Sequence, residues 1–159
     1  MITVVYCTRN ENKKHQEHLF KSSGLHKKLE IIEIINKGKF SLTEVYNKAL
    51  DDSSNDIVVF THDDVILENN NWGRKLIKYY VDSEYGILGI AGTTHMASTG
   101  RWWQDSTKMM GRVKHTNEGK TWENKYCSTF SKEILETCCL DGVLFFGGIV
   151  CFFGFTSMI

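Results

Sequence analysis

Apolar, β-branched stretches alternate with polar turns and amphipathic runs over the first ninety residues. Residues 2–6 are dominated by β-branched side chains and predict a core strand, and the polar run 8–15 gives way to a helix-compatible stretch reaching about Ser22. Leu29-Glu-Ile-Ile-Glu-Ile-Ile35 predicts a second strand, ended by Asn36-Lys-Gly38. Ser41, with Glu44 three residues on, makes a capping box that opens a helix through about Leu50. After a turn-forming run at 51–56 comes the almost wholly apolar 57–61, the pattern of a strand covered on both faces in a parallel sheet. Helical spacing of Trp72, Leu76, Ile77 and Tyr80 predicts a third helix to about Val81, and 85–91 predicts a fourth strand. Such β-α-β-α-β-α-β alternation argues for a doubly wound α/β sheet, whose ligands bind beyond the carboxyl ends of the strands. The loops after Cys7, Ile35, Thr61 and Ala91 are therefore the places to look for chemistry.

Beyond Gly92 the alternation weakens. A ribbon is expected around 109–115 and an extended run over 136–146, as an α+β embellishment on the sheet edge. Residues 142–159 carry no charge, and three readings of them stand: a membrane-spanning helix, a buried strand pair, or a non-native or truncated tail.

Length and charge narrow the classes. The chain has 159 residues, which suits one domain over 1–159. Hydrophobic residues at 42% and charged ones at 24% are those of a core-forming protein rather than a disordered or collagenous one. Nineteen Lys+Arg balance nineteen Asp+Glu, so no global field draws the chain to nucleic acid or to an anionic membrane. Five cysteines, odd in number and without C-x-x-C spacing, read as reduced intracellular thiols. The first residues lack the basic region and full apolar core of a signal peptide, so a cytoplasmic location is expected.

The third predicted strand stops at His62-Asp63-Asp64. Two carboxylates at a strand tip repel unless a cation or proton neutralises them, and carboxylate oxygens suit Mg²⁺ or Mn²⁺ completed by water and phosphate oxygens. The same pair could instead cap a helix or turn, and spacing leaves both readings open.

Three segments in order carry a resemblance: Val4-Val-Tyr-Cys-Thr-Arg-Asn-Glu11, then Asn36 through Leu50 with its S-L-x-E-x-Y-N, then Asp56-Ile-Val-Val-Phe-Thr-His-Asp-Asp-Val65. With the following Trp72-Gly73 helix, the Gly-Ile-Leu-Gly-Ile-Ala-Gly-Thr93 segment and Asp141-Gly142, where a later D-G-x-F strand is expected, the chain resembles a family 2 glycosyltransferase of the small glycosyltransferase-like subgroup over about residues 2–146. That resemblance implies a GT-A fold: a Rossmann-like, mostly parallel sheet flanked by helices, incomplete at the carboxyl end. It implies that Thr8, Arg9, Asn10 and Glu11 lie against the base and ribose of a nucleotide, that Asn36 faces the base, and that Asn47 helps shape the pocket. His62-Asp63-Asp64 takes the place of the metal- and diphosphate-binding D-x-D, with Asp64 first, then Asp63, and His62 able to ligate only as neutral imidazole. The family usually has Pro where Cys7 stands and Asp where His62 stands.

The implied activity is divalent-metal-dependent transfer of a sugar from a nucleotide-diphosphate donor, uridine by default, to an acceptor hydroxyl on a carbohydrate or glycolipid. In the wider family the base lies in an acidic segment after the D-G strand, and this chain ends before one could occur, so a truncated or frame-shifted end is expected. Asp141 remains as a substitute base, a sugar-hydroxyl acceptor or a turn residue, with Gly142 beside it; Trp102 and Trp103 either stack on a sugar or pack. Homodimerisation and peripheral association with the inner membrane face are compatible with this reading. Two other classes compete: a nucleotide-sugar binding module without turnover, and a receiver-like signalling domain, which lacks an early Asp pair and a well-placed late Lys.

Overall fold

The computed structural model describes residues 1–81, 86–126, 135–142 and 144–148. They divide into two compact units: residues 1–88 with the strand from Phe145, and residues 89–144.

In the first unit, β1 (Ile2–Thr8) lies between β2 (Leu29–Ile35) and β3 (Ile57–His62), parallel to both, with Val4 opposite Ile31 on one side and Val59 on the other. The expected burial of the apolar strand on both faces is met: Ile57 through Thr61 are all buried. Alternation sorts the two faces. Val5, Val58 and Phe60 pack with Ala49 and Leu50 of α2 (Leu42–Asp52), while Tyr6 on the other face meets His15 of α1 (Lys13–Ser23) edge to face at 4.7 Å. α3 (Trp72–Val81) joins α1, where the Trp72 indole donates to the Ser22 hydroxyl at 2.9 Å. The capping box is present: the Glu44 amide donates to Ser41 Oγ, and the Ser41 amide donates back to the Glu44 carboxylate. Bonds donated to it by the Ser41 hydroxyl, at 2.7 Å, and by the Ser41 amide hold the Glu44 carboxyl below its usual range.

The predicted fourth strand is two strands. Ile87–Gly89 (β4) ends the first sheet, of order β2-β1-β3-β9-β4 with β9 at Leu144–Gly148, whereas Ala91–Thr93 (β5) belongs to a second sheet. Glycines at 89 and 92, weak strand formers, flank the break at Ile90. The expected extended run over 136–146 is likewise broken at Asp141-Gly142, into β8 (Cys139–Leu140) and β9 (Leu144–Gly148). Because 144–148 is a strand with Leu144 and Phe146 buried, the uncharged tail does not form one helix from Gly142; its remainder lies outside the described residues. No helix among the described residues is long and apolar enough to cross a membrane.

With β6 at Met109–Asn117 and β7 at Lys120–Lys125, the second unit is a four-stranded sheet of order β7-β6-β5-β8. The ribbon expected at 109–115 is a full hairpin of β6 (Met109–Asn117) and β7 (Lys120–Lys125). Its two-residue turn, Glu118-Gly119, takes positive φ at both positions (49° and 76°), the geometry whose twist matches a hairpin. At Gly111 (φ 115°) a Cβ would stand 2.3 Å from the Ile90 carbonyl oxygen, so only glycine lets β6 close on β5 there.

Candidate functional site

The first unit's parallel strands end together, and a cavity of about 540 Å³ opens beyond their carboxyl ends, within the range of small-molecule sites. Its walls come from three separate segments. The loop after β1 contributes Cys7, Thr8, Arg9, Asn10, Glu11 and Asn12; the end of β2 and the start of α2 contribute Asn36 and Leu42; the end of β3 contributes Asp63. Six of the seven residues expected to bind nucleotide thus line one cleft.

Hydrogen bonds hold these segments in place. The buried Thr8 hydroxyl donates to the Asn10 carbonyl at 2.9 Å and curls the loop, and the Asn36 amide donates to the Thr8 carbonyl at 2.8 Å, joining two strand ends. The Asn36 side chain is occupied by its own loop, accepting from the amides of Lys39 and Phe40 and donating to the Phe40 carbonyl. Asn36 therefore lines the cleft while shaping its rim. Arg9, Asn10 and Glu11 are exposed, with Glu11 paired to Lys13 at 3.7 Å.

Two residues not anticipated from sequence tie the cleft together. Asn12 caps α1 by accepting from the His15 amide at 3.2 Å, and its side-chain amide donates to the Asp63 carbonyl at 3.2 Å, fastening the first loop to the acidic strand end. Glu33 of β2 accepts from the Tyr6 hydroxyl and from the Asn12 amide, both at 2.8 Å. Burial, and then the bond to Glu33, push the Tyr6 phenol far above its ordinary value. The sequence held a signal for both: a carboxylate inside the apolar strand 29–35 needs partners, and an Asn just before a helix is a favoured cap. Tyr46, also beneath this end, is pushed up to about 12 by burial, with Cys7 and Asp63 adding to it. His15 is buried, and its Nε2 has no hydrogen-bond partner among the described residues; burial, then His18, hold its pKa down against the pull of Asp63, Asp64 and Glu33.

His62, Asp63 and Asp64 turn the chain, with the Val65 amide donating to the His62 carbonyl at 3.4 Å. Asp63 is half-buried and lines the cleft, whereas Asp64 and His62 are exposed and stand outside its lining. Among the described residues no three His, Cys, Asp or Glu side chains are grouped to hold a metal. The donor chemistry fits Mg²⁺ or Mn²⁺ only in the shared manner, with one or two carboxylates from the protein and the remaining oxygens from phosphate and water.

A comparison with protein families decides the lineage: residues 3–147 match the glycosyltransferase-like family. The chain belongs to that family. No curated protein matches it. Membership in the glycosyltransferase-like family agrees with the mixed α/β architecture of two sheets with helices and supports glycosyl transfer as the general chemistry.

The remaining predicted residues lie elsewhere. Asn47 is exposed on α2 and does not line the cleft: it is five residues from Leu42, which at 100° per residue turns it about 140° away from the face that does. Asp141, Gly142 and Trp103 belong to the second unit. The Asp141 amide donates to the Ala91 carbonyl at 2.8 Å, and Gly142 is exposed in the turn that follows. Trp102 packs edge to face against Tyr126 at 5.7 Å and against Trp103 at 6.1 Å, while Trp103 itself is 58% exposed.

Proposed function

We propose that the cleft beyond β1, β2 and β3 binds the nucleoside diphosphate of a sugar donor, with uridine as the nucleoside, and that the chain transfers the sugar to a hydroxyl of a carbohydrate or glycolipid acceptor. The observation that carries the reading is the convergence of Thr8–Glu11, Asn36 and Asp63 on one cavity, although 25 or more residues separate the three segments. Arg9 and the exposed polar groups of Asn10 and Glu11 are suited to ribose and base contacts, and Leu42 gives the same wall an apolar surface for a base. Asp63, then Asp64, are the residues that would hold Mn²⁺ or Mg²⁺, with His62 adjacent. When bound, the ion would neutralise charge on the departing diphosphate. The chain's own task is to position it: Asn12 fixes the Asp63 backbone, and Glu33 fixes Asn12. Asp141 is proposed as the carboxylate that takes the acceptor's proton.

Calorimetric titration of UDP into the purified chain, with and without Mn²⁺, tests the reading. Metal-dependent binding is expected, and absence of binding under both conditions would refute it. Asp141→Asn tests the base separately: it should abolish turnover and leave UDP affinity unchanged.

A further inference from the structure

We propose that one face of the β6–β7 hairpin is a binding surface for a neutral oligosaccharide. This deepens the transfer reading by giving the acceptor a chemical class, and only the word acceptor rests on that reading. Register sorts the hairpin into two unlike faces. Residues opposite one another share a face, so the pairs Arg112 with Lys125, Lys114 with Glu123 and Thr116 with Thr121 point one way, and Val113 with Asn124, His115 with Trp122 and Asn117 with Lys120 the other. The first face is charged, with Glu123 paired to both Arg112 and Lys125. On the second, the pairs from Val113 with Asn124 to His115 with Trp122 carry rings and an amide and no formal charge, and Lys120 stands beyond them at the turn.

The rings of this second face form a connected strip. Trp122 stacks on His115 with centroids 5.3 Å apart and planes 14° from parallel. The Asn124 amide nitrogen meets His115 Nε2 at 3.1 Å and donates to the Tyr126 hydroxyl at 3.1 Å. Tyr126 then meets Trp102, and Trp102 meets Trp103. Trp122 is 46% exposed and Trp103 is 58% exposed, so the strip ends in two open indoles.

Its chemistry selects the occupant. Rings held by neighbours offer flat surfaces at little cost in side-chain entropy. With the Asn124 nitrogen donating, the Tyr126 oxygen is already an acceptor and its O–H is left to donate, while His115 carries its ring proton on Nδ1. Apolar planes edged by donors suit pyranose rings, which have C–H faces and hydroxyl rims. Charge disfavours the main competitor: a nucleic acid or other polyanion would seek Arg112, Lys114 and Lys125, and the hairpin turns these three to the opposite face, leaving Lys120 at the turn as the one cation among the pairs of the ring face. Trp122 on β7 and Tyr126 just past its end are four residues apart, about 13 Å if extended, so the strip calls for several sugar units in a row.

The probes are maltohexaose, cellohexaose and chitohexaose, added to the full chain and followed by tryptophan fluorescence and calorimetry. At least one should shift the emission saturably. Its affinity should fall tenfold or more in Trp122→Ala, less in Trp122→Phe, and not at all in Lys114→Ala on the charged face. Trp103→Ala, at an exposed position, repeats the test should Trp122→Ala fail to fold. Binding of none of the three, or binding that survives both tryptophan replacements, would overturn the proposal. So would capture by phosphatidylcholine vesicles that is lost in Trp122→Ala, which would make the strip a lipid contact. UDP, titrated in parallel, separates the two readings: glycan binding without UDP binding sustains the strip and refutes the donor site, and UDP binding without glycan binding does the reverse.

Discussion

Glu30 and Glu33 are three residues apart on the same strand, and the protein uses them in opposite ways. Glu30 lies opposite Thr3 at the amino end of the parallel strands, on the face toward α2. It accepts from the Thr3 hydroxyl at 2.5 Å, the Ser54 amide at 3.2 Å and the Asn55 side chain at 3.1 Å. Thr3, wholly buried, is itself fully used: it donates once and accepts from Ser53 at 2.8 Å and Asn55 at 3.0 Å. Burial pushes the Glu30 carboxyl up, and the bonds from Thr3, Ser54 and Asn55 outweigh it and hold the group low. Glu33 lies opposite Tyr6 at the carboxyl end, on the other face. Of its two donors, Tyr6 is wholly buried and Asn12 lines the cleft. The amino end is a closed knot of side chains; the carboxyl end spends its bonds on a frame and leaves Arg9, Asn10 and Asp63 facing open space. Parallel strands that start and stop together produce both ends, and local side-chain chemistry decides which is sealed.

Substitutions at the two ends should therefore separate binding from stability. The largest effect is expected at Asp63: Asp63→Ala should weaken Mn²⁺-dependent UDP binding roughly 100-fold, about 2.7 kcal/mol, by calorimetry, with an unchanged thermal midpoint. Asn55→Ala at the closed end should do the converse. Leaving Thr3 and Glu30 short of donors should cost about 2 kcal/mol of stability, read from urea unfolding, with UDP affinity intact. Glu33→Gln sharpens the contrast, since the residue frames the cleft. It should lower stability by about 1 kcal/mol and weaken UDP roughly tenfold, the same free-energy scale.

The smallest effect is in pH. His15 at the open end has a lowered pKa, so below about 6.5 the unfolded chain takes up a proton that the folded chain resists, and stability falls as pH drops through that value. Glu30 at the closed end is lowered from 4.5, so its contribution is present above that value and is lost as pH falls below it. Urea midpoints against pH should lose the first step in His15→Gln and the second in Glu30→Gln.

The sequence made the first unit legible because its elements are long and locally signalled. An unbroken apolar strand, a capping box and a helix with Trp72, Leu76, Ile77 and Tyr80 in register each name themselves without reference to the rest of the fold. The second unit depends on pairing partners. Whether 85–91 runs on as one strand is decided by β5 pairing with β6, and the hairpin depends on a Glu-Gly turn whose first residue is not a usual turn former. In the cleft, the motif order located Thr8, Arg9, Asn10, Glu11, Asn36 and Asp63. Asn12 and Glu33 were hidden because their partners, Asp63 and Tyr6, are 51 and 27 residues away in the chain. Asn47 shows the complementary limit: a residue within a matching motif still faces wherever the helical period turns it.

Nucleotide is proposed to bind at the open end of the parallel strands and nowhere near the closed one. Amide NMR spectra of the chain, titrated with UDP and then with substoichiometric Mn²⁺, test it directly. Shifts are expected only at Thr8–Asn12, Asn36–Leu42 and His62–Asp64, with Mn²⁺ broadening greatest at Asp63 and Asp64, while Thr3, Glu30 and Ser53–Asn55 stay unmoved. Shifts centred on the closed end, or a spectrum that neither UDP nor Mn²⁺ changes, would contradict it.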